Sequence, residues 1–213
     1  MKRIFLIVII INFFSSVTFG QEIELKGIYA GSSSKRYNMN IGYGIGYYQN
    51  LKSKNRLGIS ITHHFSNRPY DDIHISTEDG ISTFIEKIEP NNQRIAVKMN
   101  YAFKLVDNPK SSIFLGPEFG LNYFLLRKKY YRIANENISG GTFTSSFNLN
   151  NRPSLGFLFE FELKEIISEK ISLYLSLNPE ITSFLNFGMM GGYDPYFVGW
   201  MNSNFGIRYL IND

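Results

Sequence analysis

The sequence predicts an all-β chain: an eight-stranded antiparallel up-and-down transmembrane β-barrel, with ten strands as the alternative count. Three observations carry the prediction. Apolar residues alternate with polar or small ones along almost all of residues 21–213, and the connections between the alternating segments are short and long by turns. The rows opposite the apolar rows are filled largely by glycine and charge, unlike the polar face of a water-washed sheet.

The segment "RIAVKMNYAFKL" (94–105) states the pattern most clearly. Arg94, Lys98 and Lys104 share one row, while Ile95, Val97, Met99, Tyr101, Phe103 and Leu105 share the other. Successive side chains of a strand point to opposite faces, so the two rows meet two different surroundings.

Taken in order, the first strand places Ile23, Leu25 and Tyr29 in a row with Gly27 and Gly31, opposite Glu24 and Lys26. The second alternates Ile41, Tyr43, Ile45 and Tyr47 with Asn40, Gly42, Gly44 and Gly46. In the third, Leu57, Ile59, Ile61, His63 and Phe65 oppose Gly58, Ser60, Thr62, His64 and Ser66. The fourth is the segment just quoted. The fifth sets Ile113, Leu115, Phe119, Leu121, Tyr123 and Leu125 against Gly116, Glu118, Gly120 and Asn122. The sixth sets Leu155, Phe157, Phe159, Phe161 and Leu163 against Ser154, Gly156, Glu160, Glu162 and Lys164. In the seventh, Ile171, Leu173, Leu175, Leu177 and Ile181 oppose Ser172, Tyr174, Ser176, Asn178 and Glu180. The eighth sets Phe205, Ile207, Tyr209 and Ile211 against Asn202, Asn204, Gly206 and Arg208.

Residues 51–55, 107–111 and 167–170 are tight, turn-rich links. Between them lie a short link over 32–37 and three long ones over 67–92, 127–151 and 183–200. Alternate connections of an up-and-down sheet emerge at the same end, so short turns collect at one end and loops at the other. The stretches 81–89 and 141–149 have strand-like composition inside those loops, which is the source of the ten-strand alternative.

Residues 1–20 read as a cleaved secretory signal peptide. Lys2 and Arg3 precede an apolar run, and Ser15, Ser16, Thr18 and Gly20 offer a small-residue cleavage site before Gln21. The run is shorter than the roughly 20 residues a spanning helix needs. Residues 21–213 then form one barrel domain. Without Lys2 and Arg3 the basic count falls from 22 to 20 against 18 acids, a scattered and small excess that does not support nucleic-acid binding. The absence of cysteine excludes a disulfide framework and thiolate metal sites.

Glycine weakens a strand and gains nothing on a water-exposed face, whereas inside a small barrel it gives room to side chains reaching across the lumen. The apolar rows are therefore assigned to lipid and the polar rows to the lumen. Arg94, Lys98 and Lys104 then point inward toward Glu118, Glu160, Glu162 and Glu180, and Arg208 can meet Glu24 where the last strand closes on the first. Buried ions need partners, so interlocked pairs are expected in place of an open channel. Tyr43, Tyr47, Tyr101, Phe103, Tyr123 and Tyr209 are candidates for the interfacial girdles.

The glycine-alternating "NIGYGIGYY" (40–48), "FLGPEFGLNYF" (114–124) and the closing "NSNFGIRYLI" (202–211) resemble the small outer-membrane barrels of the Bacteroidota grouped as PorT-like. The resemblance implies a bacterial outer-membrane location, insertion by the barrel-insertion machinery, contact with outer-membrane lipid, and a possible surface or secretion-system protein partner. It implies no cofactor.

"HHFSN" (63–67) resembles the active-site motif of the lipid A 3-O-deacylases, barrels that cleave an acyl ester with a Ser-His-Glu triad. On that resemblance His64 would be the base, Ser66 the nucleophile and Asn67 the accompanying residue, with Glu78 orienting the base. The motif sits on the third strand instead of near the barrel's end, and the alternation turns His64 and Ser66 toward the lumen, away from lipid. They are read as polar residues at a strand end. Asp71, Asp72, His74, Glu78 and Asp79 lack the spacing of a known cation loop, and no metal is expected. "GGYDPYFVGW" (191–200) reads either as an aromatic ligand loop or as turn residues with an interfacial Trp200. The expected role is non-enzymatic: structural, surface-interaction or secretion-accessory. A lipid A esterase and a narrow pore stand as alternatives.

Overall fold

The computed structural model describes residues 20–33, 39–51, 55–66, 70–74, 82–88, 92–134, 142–187 and 193–212. Residues 1–19 of the expected signal peptide lie outside them. The chain forms β1 (Gln21–Ser32), β2 (Ile41–Asn50), β3 (Arg56–Phe65), β4 (Tyr70–His74), β5 (Ser82–Ile88), β6 (Gln93–Asn108), β7 (Ser111–Ala134), β8 (Thr142–Ser168), β9 (Ile171–Phe187) and β10 (Tyr193–Asn212).

Eight of these close on themselves in the order β1-β2-β3-β6-β7-β8-β9-β10, and every junction is antiparallel. Closure is made by β1 and β10, which stay paired from Gln21–Asn212 to Ser32–Trp200. A closed wall satisfies the backbone of each strand through its neighbours and leaves no edge, which is what makes strands tolerable in lipid. The remaining two strands do not enter the wall. β4 and β5 form a hairpin that pairs only with the far end of β7, from Ser82–Ala134 to Ile88–Lys128. Ten strands are thus present among the described residues, and eight are staves.

Two of the expected long loops are largely strand. β7 and β8 run on past the barrel as a hairpin, with Tyr131 opposite Thr142. The stretch 183–200 likewise continues β9 and β10, with Phe187 opposite Tyr193. Its Gly, Asp and Pro suggested a loop, but Tyr, Phe and Val keep the alternating composition that pairs across a hairpin.

The wall is inverted relative to a soluble sheet. Val97 and Phe159 are 42% and 44% exposed on the outside, while their chain neighbours Lys98 and Glu160 are 4% and 1% exposed within. The outward rows of all eight staves carry the large apolar residues, among them Leu25, Ile45, Ile61, Phe119, Leu175 and Phe205. Inside, Ala102, Phe114 and Leu158 form one small apolar cluster. Apolar outside and polar inside is the distribution of an outer-membrane-type barrel.

Aromatics collect toward both ends of this belt. Tyr101 and Phe103 meet edge to face at 4.9 Å on the short-turn side. On the loop side the Tyr43 hydroxyl lies 3.0 Å from His63 Nδ1, with the rings at 85°.

Candidate functional site

The lumen is filled by two tiers of ion pairs, held by residues that alternation alone turns inward. The tier nearer the short turns is centred on Arg208 of β10. Its Nε and Nη2 donate to Glu24 Oε2 at 3.1 and 2.8 Å, and Nη1 and Nη2 donate to the two Glu160 oxygens at 2.5 Å each. The guanidinium also packs against two rings, 4.4 Å from the Tyr48 centroid and 4.1 Å from that of Tyr174. A planar fork that bonds carboxylates and packs on aromatic faces suits arginine and would not suit lysine.

Arg56 of β3 completes the tier. It donates to Glu160 Oε1 and Glu162 Oε2, both at 2.9 Å, reaches Glu22 at 3.5 Å, and lies 3.9 Å over the Phe114 ring. Lys26 pairs with Glu24 at 2.8 Å. Neutral donors take up spare carboxylate oxygens: the Ser172 hydroxyl donates to Glu162 and the Asn50 amide to Glu22, each at 2.7 Å.

The tier nearer the loops is built on Glu180 of β9. Lys98 donates to Glu180 Oε2 and to Glu118 Oε1, each at 2.8 Å, and Arg94 Nη2 donates to Glu180 Oε1. Arg94 Nε donates to Asn122 at 2.7 Å. The Asn202 and Asn178 amides donate to Glu180 and Glu118 at 3.2 Å. Arg94 rests 4.4 Å over the Trp200 ring, which stacks on Phe124 at 6.1 Å.

The glycines face this filling. A Cβ at Gly58 would collide with the Tyr48 ring and sit 2.7 Å from Asn100 Oδ1. One at Gly206 would lie 2.5 Å from the Tyr174 hydroxyl and from the Leu25 carbonyl. The two rings that pack against Arg208 therefore lie over positions where only glycine fits.

Glu24, Arg94, Lys98, Glu118, Glu160, Glu162, Glu180 and Arg208 all lie buried in the lumen within these contacts. Lys104 stands only at the edge of this network, a correction to its expected place: its ammonium lies 5.5 Å over the Phe114 ring that Arg56 also covers. It pairs with Asp107 at 3.3 Å beside Lys164, which reaches the same carboxylate at 2.6 Å. The pairing of β6 with β7 shifts between Lys104 and Val106, and this position lies at the rim where the strands leave the barrel for their turn.

Three further members join the expected network, one of which, Lys26, already stands in the inward row of the first strand. Lys26 and Glu22 share the parity of Glu24, which was the available signal. Arg56 sits against the turn and reads as a turn residue, although it keeps step with Gly58 and Ser60.

Trp200 is not an interfacial residue, because even-numbered positions of β10 face inward; it is 3% exposed within the wall. His64 and Ser66 are buried on the inward side. His64 Nε2 lies 3.2 Å from the Thr62 hydroxyl, and the Ser66 amide donates to the Asn92 carbonyl at 3.0 Å. An acyl chain in the bilayer does not meet them there. Asn67, Glu78 and Asp79 lie outside the described residues; Asp71, Asp72 and His74 fall on β4.

The sequence matches no protein-family model and no curated protein sequence. Among solved structures it is similar to Neisserial surface protein A, at 12% identity over 89% of this chain and 96% of that one, with a TM-score of 0.46. It is similar also to a major outer membrane protein from Thermus thermophilus, at 13% identity over 90% and 98% with a TM-score of 0.48. A third is the N-terminal β-barrel domain of Pseudomonas aeruginosa OprF, at 13% identity over 88% and 99% with a TM-score of 0.38. At these identities and TM-scores the likeness says nothing about role.

Proposed function

We propose that this chain is an integral protein of the bacterial outer membrane, exported by residues 1–20, whose role is non-enzymatic: structural, surface-interacting or secretion-accessory. The observation that carries the reading is the pairing of an apolar exterior with a lumen crossed by Arg208, Arg56, Lys98 and their carboxylates. A lumen so filled offers neither a reaction chamber nor a wide aqueous path. Activity is then left to the strand extensions beyond the wall, β4–β5 and the outer ends of β7 to β10. The resemblance to PorT-like barrels belongs to the same proposal, as do a surface or secretion-system protein partner and the barrel-insertion machinery.

The narrow-pore reading is disfavoured by side chains that bond across the lumen at both tiers. The esterase reading is disfavoured by the inward burial of His64 and Ser66. Two measurements test the proposal. Membrane-extracted protein run on a gel with and without boiling should show two mobilities, and planar bilayers containing it should stay silent. One mobility, or steady conductance, would contradict it.

A further inference from the structure

The described strands contain two kinds of glycine. Gly42, Gly44, Gly46, Gly58, Gly116, Gly120, Gly156 and Gly206 face the lumen, and a Cβ on each would meet a neighbour at 3.0 Å or closer. Gly27, Gly31 and Gly199 face outward, all on β1 and β10, the two strands that close the barrel. At Gly31 a Cβ would meet open space, and at Gly27 and Gly199 its nearest neighbours lie at 3.9 and 3.6 Å. Among the described residues nothing demands glycine at these three positions, and none has the left-handed backbone that would.

Their effect is a notch in the apolar belt. Gly31 lies opposite Met201, which lies opposite Pro179, and Gly199 lies opposite Ile181, which lies opposite Leu155. The short residues Gly31, Gly199 and Pro179 form the floor, and Leu155, Phe157, Ile181 and Met201 form the walls of a groove of about 720 Å³. It opens outward on the loop side of the belt. At its head the Ser33 amide donates to the Gly199 carbonyl at 2.8 Å, and the Gly199 amide donates to the Ser33 hydroxyl at 2.9 Å.

We infer that this groove seats one acyl chain of an outer-leaflet lipid, held longer than the lipids around the rest of the wall. The inference rests on the membrane reading given above. The groove is continuous with the lipid-facing belt, so lipid is the neighbour already present. Most of its lining is apolar, and the Ser33 and Gly199 amides at its head are already bonded to each other's residue, which leaves little there for an added strand to pair with. A second copy meeting it face to face would set one hollow against another and leave a void, whereas an isologous contact needs a self-complementary surface. A flexible hydrocarbon chain fills a hollow of any contour.

The test uses the full chain in phosphatidylethanolamine/phosphatidylglycerol vesicles doped with a phosphatidylethanolamine that carries a diazirine on its acyl chain. After illumination, adducts are mapped by mass spectrometry. Labelling of Leu155, Ile181 and Met201 should exceed that of Ile61, Val97 and Phe119 several-fold. It should fall to the level of those residues in Gly31→Leu and in Gly199→Leu, with both variants still showing two gel mobilities. Even labelling around the belt, or excess labelling that survives both substitutions, would overturn the groove while leaving the barrel in the membrane. Cross-linked pairs of chains through Met201 would assign the groove to a second copy. No lipid adducts at all would overturn the membrane reading and the groove with it.

Discussion

Arg208, on the last strand, holds the Glu24 carboxylate of the first through two nitrogens, 184 residues apart in sequence, with the second carboxylate, Glu160, bound on its other side. The closing seam is thus tied from within the lumen as well as along the backbone ladder.

Removing this arginine leaves Glu24 and Glu160 short of a cation in a space away from water. Arg208→Met should therefore lower the unfolding free energy in detergent by about 3–5 kcal/mol. Adding Glu160→Gln to it should recover part of the loss, since Glu24 keeps Lys26 and Arg56 keeps Glu162. Urea titrations followed by the heat-dependent gel shift check both statements; a double variant weaker than the single one would contradict them.

Lys98 and Lys104 lie on the same row of β6 and differ in depth. Lys98 bridges two carboxylates inside the wall, whereas Lys104 shares Asp107 with Lys164 at the rim. Lys98→Ala should cost about 3–5 kcal/mol, and Lys104→Ala about 0–1 kcal/mol. Raising the salt concentration should erase the smaller effect and leave the larger one. Equal losses, measured by the same titration, would mean that both belong to one network.

The contrast also marks how far the sequence could be read. Period-two alternation assigns each residue to a face, and short and long links by turns assign the ends; both are local and survive without coordinates. Depth along the lumen depends on register, strand tilt and bulges, and these are set by pairings between distant segments. Parity therefore puts Lys104 in line with Lys98 while saying nothing of the register shift that leaves it at the rim. Arg56 was hidden for the opposite reason, because a polar residue beside a turn looks like part of the turn. Trp200 was misplaced because glycine and proline around it masked the strand whose parity turns it inward.

Gly58 lies beneath the Tyr48 ring, and the three nearest atoms that an added Cβ would strike there are side-chain atoms of Tyr48 and Asn100. Gly58→Ala should cost about 1–3 kcal/mol through overpacking. In the Tyr48→Ala background the same change should cost far less, a coupling that a double-mutant cycle reads directly. Additive losses would mean that the ring does not require the glycine.

The most direct test of the central claim uses the fact that Trp200 is the single tryptophan. In a Trp200→Phe background, Phe159→Trp and Phe114→Trp place one reporter on each face of the wall, since Phe159 is outward and Phe114 is fully buried inside. The barrel is inserted into vesicles whose acyl chains carry bromine, which quenches tryptophan on contact. The expected result is strong quenching at position 159 and little at position 114; equal quenching at both, or the reverse, would mean that the apolar rows do not face lipid.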